Sequence, residues 1–214
     1  MPRSKEEARL LFDRWAQSYD TGVRDASGPL FGYDNSLACA AQMLPVSDKE
    51  LVLDVGIGTG NLSAILAGRG AIIYGVDPSE AMLARCRSAH PEFQVALGSF
   101  EDIPFSRCKF DAVVSSFSWH EVPLCRRQES LHEIARILRP RGRLLVLDII
   151  FASEPARDEA RLVLGESWDD EEDYALVQDT ELRKAGFVGV RWAQTGPFHW
   201  AALARIRERE RMER

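Results

Sequence analysis

The sequence predicts an α/β fold: a doubly wound, seven-stranded, mostly parallel sheet that ends in an antiparallel C-terminal hairpin. Short, almost wholly apolar segments alternate with segments of helical periodicity, a pattern typical of parallel strands covered on both faces. A glycine-rich loop follows the first apolar segment, as in many ligand-binding α/β sheets. Only three residues, 195–197, separate the last two apolar segments, which predicts the hairpin.

The elements follow in order along the chain. Leu11, Phe12, Trp15 and Tyr19 recur at the spacing of one helix face, which predicts an N-terminal helix. Further helices are predicted at 35–44, after the glycine loop, at 79–88 and 126–138, and ending at 185, with Ser79 as an N-cap. The predicted strands are 51–55, 71–76, 93–97, 110–115, 143–151, 187–194 and 198–204.

Composition excludes several classes of protein. The chain has 214 residues, 45% of them hydrophobic and 28% charged, which is ordinary for a globular domain. A formal net charge of −6 argues against nucleic acid as a partner, because such binding depends on clustered positive charge. The sequence shows no secretory signal, no membrane-spanning segment and no cysteine spacing typical of metal sites, so we expect a cytoplasmic protein without metal.

The loop at 54–60 indicates what the fold binds. Its spacing is GxGxG, and Asn61 stands where a dinucleotide fingerprint has Gly or Ala. Asp54 precedes the first glycine by two residues, a poor neighbour for a pyrophosphate and a good one for an ammonium group. Asp77 ends the second strand, where a carboxylate can accept both ribose hydroxyls. Asp77 suits any nucleoside, whereas the first two features favour a cationic ligand without phosphates.

With these features, the chain resembles the class I S-adenosylmethionine-dependent methyltransferases, in particular uncharacterised bacterial members that act on small molecules. Five ordered segments carry the resemblance: LVLDVGIGTGNL (51–62), YGVDPSEAML (74–83), LGSFEDIPF (97–105), FDAVVS (110–115) and LRPRGRL (138–144).

The resemblance implies a role for each cofactor-binding residue. Asp54 and Gly56 would face the methionine end of S-adenosylmethionine, with Gly58 and Gly60 shaping the loop. Asp77 would hold the ribose, beside Pro78, and Met82 would lie against the adenine. Ser99 stands where the family often has Asp, so Phe100 would compensate through its backbone N–H, and Ser115 would face the methyl group.

The resemblance also implies a domain organisation. FDRWAQSYD (12–20) is similar to an N-terminal signature of small-molecule methyltransferases, in which a Tyr closes a lid over the cofactor. Tyr19 is the first candidate for that role and Tyr33 the second. We expect one methyltransferase domain over 1–214, with 1–45 as a helical lid. The segment 152–178, which contains an acidic run at 169–173, would be an insertion that shapes the acceptor site.

The segment after the fourth strand is expected to touch the acceptor. His120 is a candidate general base, because its ordinary pKa lies near operating pH, and Glu121 is a weaker second. The alternative is that His120 only braces the loop. Since a thioether is a good leaving group, methyl transfer mainly needs alignment of the reactants, and a base is needed only if the acceptor must lose a proton.

The predicted function is therefore methyl transfer to a small molecule by a monomer or homodimer. Two alternatives remain open: a nicotinamide-dependent oxidoreductase on a related fold, and a non-catalytic protein that binds S-adenosylmethionine. Asn61, Asp54 and the terminal hairpin argue against the oxidoreductase.

Overall fold

A computed structural model describes residues 4–24, 28–170 and 174–208 of the chain. Eight strands lie within this part: β1 Leu51–Val55, β2 Ile72–Asp77, β3 Gln94–Leu97, β4 Phe110–Ser116, β5 Leu138–Phe151, β6 Ala175–Leu176, β7 Phe187–Gln194 and β8 His199–Ile206. The α-helices are α1 Lys5–Trp15, α2 Tyr19–Gly22, α3 Tyr33–Met43, α4 Asn61–Ala67, α5 Glu80–Ala89, α6 Leu124–Ile137, α7 Glu154–Leu164 and α8 Thr180–Lys184.

Seven strands form the predicted sheet, in the order β3-β2-β1-β4-β5-β8-β7. The pairs from β3 to β5 are parallel, and β8 pairs antiparallel with both β5 and β7. The doubly wound sheet and its terminal hairpin are thereby confirmed. The two-residue β6, which the sequence did not predict, pairs with the end of β5 outside this order.

Helices cover both faces of the sheet. Successive side chains of each strand point to opposite faces, so neighbouring residues pack against different helices. Val52 on β1 belongs to a buried cluster with side chains of α3, α4, α5 and α7. The next residue, Leu53, belongs to a second cluster with side chains of α6 and α8. The near-continuous apolar strands are therefore explained by burial on both faces.

The strand order reverses at β1, which lies between β2 and β4. Crevices at such a switch point, beyond the carboxyl ends of the strands, are where open α/β sheets bind ligands. Val55, Asp77 and Ser116 end these three strands, so the predicted site residues meet at one edge. In the described part of the chain, no helix has the length and apolar character needed to cross a membrane.

Candidate functional site

A cavity of about 1010 Å³, counted with the open solvent at its mouth, lies at the carboxyl ends of β1, β2 and β4. Its walls come from α1, the starts of α2 and α3, the glycine loop, and the segments that follow β2, β3 and β4. Ten of the predicted site residues line it: Tyr19, Tyr33, Gly56, Gly58, Asp77, Pro78, Met82, Ser99, Phe100 and Glu121. The other four do not: Asp54, Gly60, Ser115 and His120.

The three glycines of the loop differ in what a side chain at each position would contact. All have positive φ, of 75°, 54° and 93° for Gly56, Gly58 and Gly60, a conformation that L side chains rarely adopt. A Cβ on Gly56 would lie 2.3 Å from the Ser118 hydroxyl oxygen, so the loop needs this glycine for close approach. A Cβ on Gly58 would meet no atom within 4 Å, because Gly58 borders the open cavity. A Cβ on Gly60 would instead meet His90 and Cys86 of the neighbouring α5 region.

Asp77 is held in place by two backbone amides. Its Oδ2 accepts the N–H of Gly58 and its Oδ1 accepts the N–H of Ser79, both at 2.9 Å. Burial raises the pKa of Asp77 to about 6, and these two donors offset part of that rise. Each carboxylate oxygen keeps a second lone pair, so the side chain can accept hydroxyl groups from a ligand in the cavity.

Asp54 lies behind the loop and is almost fully buried. Its Oδ2 accepts the hydroxyl of Ser63 on α4 at 2.7 Å, whereas its Oδ1 is buried without a hydrogen-bond partner. Burial raises the pKa of Asp54 to about 7; the Ser63 hydrogen bond acts against this rise and the charge of Asp77 adds to it. An unsatisfied buried carboxylate oxygen is costly and fits a site that is completed by a cationic group. The contact expected with the methionine end of a cofactor stays a prediction.

The side of the cavity near β2 and β3 carries the apolar side chains of Met82 and Phe100 beside polar ones. Ser79 caps α5 by accepting the Met82 N–H at 3.1 Å, which places Met82 in the first turn, against the cavity. Phe100 lines the same side and is 8% exposed. Ser99 pairs with Asp102 in a tight turn, where its hydroxyl accepts the Glu101 N–H at 3.4 Å. Met82 and Phe100 therefore offer apolar surface to a ligand on this side of the cavity.

The N-terminal helices cover the cavity, and two tyrosines form part of this cover. Tyr19 packs edge-on against Trp15, and Tyr33 stacks on Phe117 with ring centroids 4.9 Å apart. The Asn61 amide donates to the Tyr33 hydroxyl at 3.3 Å. Burial raises the pKa of Tyr33 to about 12, so this phenol is neutral at physiological pH.

Two aspartates that sequence analysis did not single out tie this cover to the loops below it. Asp20 accepts the Thr59 hydroxyl at 2.7 Å and the Asn61 amide at 2.9 Å. Asp13 accepts the Ser79 hydroxyl at 2.6 Å. Asn61, the residue that departs from the dinucleotide fingerprint, thus donates hydrogen bonds to the helices that cover the cavity.

The end of β4 and the segment after it form another side of the cavity, with Ser116 and Ser118 in the lining. Ser115 is fully buried; its hydroxyl shares a hydrogen bond of 2.8 Å with Ser118, which donates to the Val55 carbonyl. Ser115 thereby braces the β1 and β4 ends, and its expected contact with a methyl group stays a prediction.

His120 lies just behind this wall. Its Nδ1 donates to Asp148 Oδ1 at 2.5 Å, and Asp148 Oδ2 accepts the backbone N–H groups of Trp119 and His120. Its Nε2 is 3.8 Å from Oε1 of Glu121, which lines the cavity. Sequence analysis missed Asp148, although it is the one polar residue among the apolar residues 144–151. Both the catalytic and the bracing interpretation of His120 stay predictions.

Comparison with known proteins gives a consistent result. A sequence family described as "Methyltransferase domain" matches residues 53–146. An uncharacterized methyltransferase of Geobacillus kaustophilus is 31% identical over 160 residues, which are 70% of this chain and 70% of that protein.

Solved structures share the fold at low sequence identity. Magnesium protoporphyrin IX methyltransferase (ChlM) from Synechocystis PCC 6803, with bound S-adenosylhomocysteine, has a TM-score of 0.75 and 17% identity, covering 95% of this chain and 100% of that one. The [4+2]-cyclase SpnF has a TM-score of 0.76 and 16% identity, with 98% of each chain covered. At such identities the likeness shows the fold alone.

Proposed function

This chain belongs to the S-adenosylmethionine-dependent methyltransferases, and on that premise we propose that it transfers the cofactor's methyl group to a small-molecule acceptor by direct displacement. The observation that carries the proposal is the position of Asp77 at the tip of β2. Two backbone amides orient its carboxylate, and it lines the cavity beside Gly58. This arrangement supports binding of a ribose, with the nucleoside base toward Met82 and Phe100.

The residues present fit the cofactor. Gly58 leaves room where a side chain would enter the cavity, and the Asp77 carboxylate borders the same space. When bound, S-adenosylmethionine supplies an activated methyl group on a sulfonium. Asp77 would orient the nucleoside, the loop at 56–60 would lie against the methionine portion, and Tyr19 and Tyr33 would exclude water. Such alignment provides much of the acceleration in a displacement reaction.

A small acceptor is supported by the cover over the cavity. Ala8, Phe12, Tyr19 and Tyr33 bring α1, α2 and α3 into its lining, so an acceptor has to fit beneath these helices. We therefore propose residues 1–45 as a lid. The net charge of −6 also disfavours a nucleic-acid acceptor.

The segment 152–178 is proposed to support the acceptor side of the cavity. Its Tyr174 lies against His120, with ring centroids 6.3 Å apart, and against Trp168 at 4.7 Å. Most of the acidic run predicted there, residues 171–173, lies outside the described residues.

Calorimetric titration and a turnover assay test the proposal together. We expect the protein to bind S-adenosylmethionine and S-adenosylhomocysteine and not to bind NADH, which separates the methyltransferase from the oxidoreductase alternative. Release of S-adenosylhomocysteine with a panel of small-molecule acceptors measures methyl transfer. Absence of nucleoside binding would refute the proposal, and binding without any methylated product would favour a non-catalytic binding protein.

A further inference from the structure

A buried histidine at the start of β8 contacts three other parts of the fold. His199 is fully buried and lies behind the described lining of the cavity. Its Nε2 lies 2.7 Å from the Pro29 carbonyl oxygen, and its Nδ1 lies 2.8 Å from the hydroxyl oxygen of Ser36 on α3. Its ring meets the Phe117 ring edge-on, with centroids 4.8 Å apart. His199 thus joins the C-terminal hairpin to α3, to the segment before α3 and to the segment after β4.

The hydrogen bonds of this ring determine which nitrogen carries the proton. A carbonyl oxygen can only accept, so the proton is on Nε2 and is donated to Pro29. Burial lowers the pKa of His199 below its ordinary value, which favours the neutral ring. The Nδ1 of a neutral ring accepts, so the Ser36 hydroxyl is the donor of the second bond. Because both ring nitrogens are bonded, the orientation of the imidazole plane is fixed.

The turn between β7 and β8 packs closely around this ring. A Cβ on Gly196 would lie 2.7 Å from His199 Nδ1 and 2.8 Å from the Ser36 hydroxyl oxygen, so a side chain here would displace one of them. The carbonyl of Thr195 in the same turn accepts the side-chain amide of Asn35 at 3.1 Å. Two adjacent residues of α3 are therefore bonded to the hairpin, and the first turn of α3 is held against it.

The contact with Phe117 connects His199 to the wall of the cavity. Phe117 lines the cavity and has a positive φ of 52°, which a bulky residue keeps only where its surroundings enforce it. Its N–H donates to the Leu147 carbonyl at 2.9 Å. Its ring is in contact with both His199 and Tyr33, and Tyr33 stacks on it while lining the same cavity. The position of the Tyr33 ring therefore depends on Phe117, and that of the Phe117 ring depends on His199.

On the basis of the proposed methyl transfer, we propose that His199 is a positioning residue that fixes the Phe117 ring and the start of α3 and thereby holds Tyr33 over the bound cofactor. Tyr33 is the first residue of α3, so the bond to Ser36 restrains its backbone while the Phe117 ring restrains its side chain. The proposed lid then has a second attachment, separate from the aspartates that tie α1 and α2 to the loops below. A lid that is fixed before the ligand binds loses less entropy when it closes over that ligand.

The release rate of S-adenosylhomocysteine, measured by stopped-flow fluorescence, tests the proposal without knowledge of the acceptor. Ser36→Ala removes the donor to His199 Nδ1. Ser130→Ala is the matched control, because Ser130 is also a fully buried helical serine and its hydroxyl donates to the Arg126 carbonyl of its own helix. Urea denaturation should show similar losses of stability in both variants, but we expect release to become at least about fivefold faster in Ser36→Ala alone. Release rates of the two variants that agree within about twofold would overturn the inference.

A double-mutant cycle tests whether His199 acts through Tyr33. His199→Gln keeps an amide that can donate to Pro29 but has no ring to pack against Phe117, and Tyr33→Leu removes the stacked ring. Each variant should speed release at least about fivefold, and adding His199→Gln to Tyr33→Leu should change the rate by less than about twofold. Effects that multiply in the double variant would overturn the inference and leave the proposed function intact. Failure of the wild type to bind S-adenosylhomocysteine would overturn the proposed function, on which the inference rests.

Discussion

The Oδ2 atom of Asp77 accepts the backbone N–H of Gly58 at 2.9 Å. This hydrogen bond joins the tip of β2 to the glycine-rich loop that follows β1, and the Ser79 amide fixes the second carboxylate oxygen. The carboxylate and the loop are therefore oriented relative to each other by the protein alone. A ligand that touches both finds them preorganised, which reduces the entropy lost on binding.

Gly58→Ala tests the open side of the loop. A Cβ at this position enters the cavity, so we expect at least about tenfold weaker binding of S-adenosylhomocysteine, measured by calorimetry. Gly189→Ala is the matched control: its φ is 63° against 54° for Gly58, and its Cβ also meets nothing within 4 Å. Both variants should lose about 1 kcal/mol of folding free energy. Equal binding by the two variants would show that Gly58 does not face the ligand.

Asp20→Ala tests the tie between the lid and the loop. The side chain accepts hydrogen bonds from Thr59 and Asn61, and it is about one-third exposed. We therefore expect the substitution to weaken the attachment of the lid to the loop by about 1 kcal/mol. That weakening should appear as a several-fold faster release of bound S-adenosylhomocysteine in stopped-flow fluorescence.

The control for this experiment is Asp34→Ala. Asp34 lies on α3 in the same proposed lid and pairs only with Arg24 among its described contacts, at an exposed site. It should leave the release rate unchanged. Identical release rates in Asp20→Ala and Asp34→Ala would mean that the Asp20 contacts do not hold the lid.

The raised pKa of Asp54 predicts that the folding stability of the ligand-free protein falls as the pH rises. Burial raises the pKa of Asp54 from the ordinary value of 3.8 to about 7, so the folded state binds the proton more tightly than the unfolded state. Stability is then greatest below pH 4 as far as this group is concerned, and it declines as the pH rises toward 7. The total decline from this group is on the order of a few kcal/mol.

Urea denaturation at pH 5 and pH 8 measures the effect. Asp54→Asn can still accept the Ser63 hydroxyl, and its unfolding free energy should decline less between these two pH values than that of the wild type. Part of the decline should remain, because burial also raises the pKa of Asp77. Asp158→Asn, at an exposed side chain on α7, should behave as the wild type. If the unfolding free energy of Asp54→Asn falls between pH 5 and pH 8 by as much as that of the wild type, the pH dependence does not come from Asp54.

Asp148→Ala should destabilise the fold, because it leaves the Trp119 amide and the His120 ring without their acceptor. A loss of about 3 kcal/mol is typical for a buried, fully bonded carboxylate. Chemical denaturation measures it, with Asp158→Ala as the exposed control. A loss below about 1 kcal/mol would show that the turn after β4 does not depend on this residue.

Much of the fold was predictable because its signals are local. Apolar strands, the GxGxG spacing and the three residues between β7 and β8 each determine structure within a few residues, and all were confirmed. Asp77 was predictable as a cavity residue for a related reason: a carboxylate at the end of β2 must lie at the switch point once the strand order is known.

The missed contacts depend on residues distant in sequence. Asp20 meets Thr59 and Asn61 only because α2 folds over the loop, and Asp148 meets His120 only because β4 and β5 are neighbours. Spacing carries no information on such pairs. Asp148 did leave one signal, because it is the single charged residue among the apolar residues 144–151 and a buried charge requires partners.

The most direct test of the account is the affinity of Asp77→Ala for S-adenosylmethionine, with thermal unfolding as the check that the variant folds. If Asp77 holds the ribose through two charge-assisted hydrogen bonds, the dissociation constant should rise at least about a hundredfold in a protein that remains folded. A folded variant whose dissociation constant stays within about twofold of the wild type would contradict the placement of the nucleoside on this carboxylate.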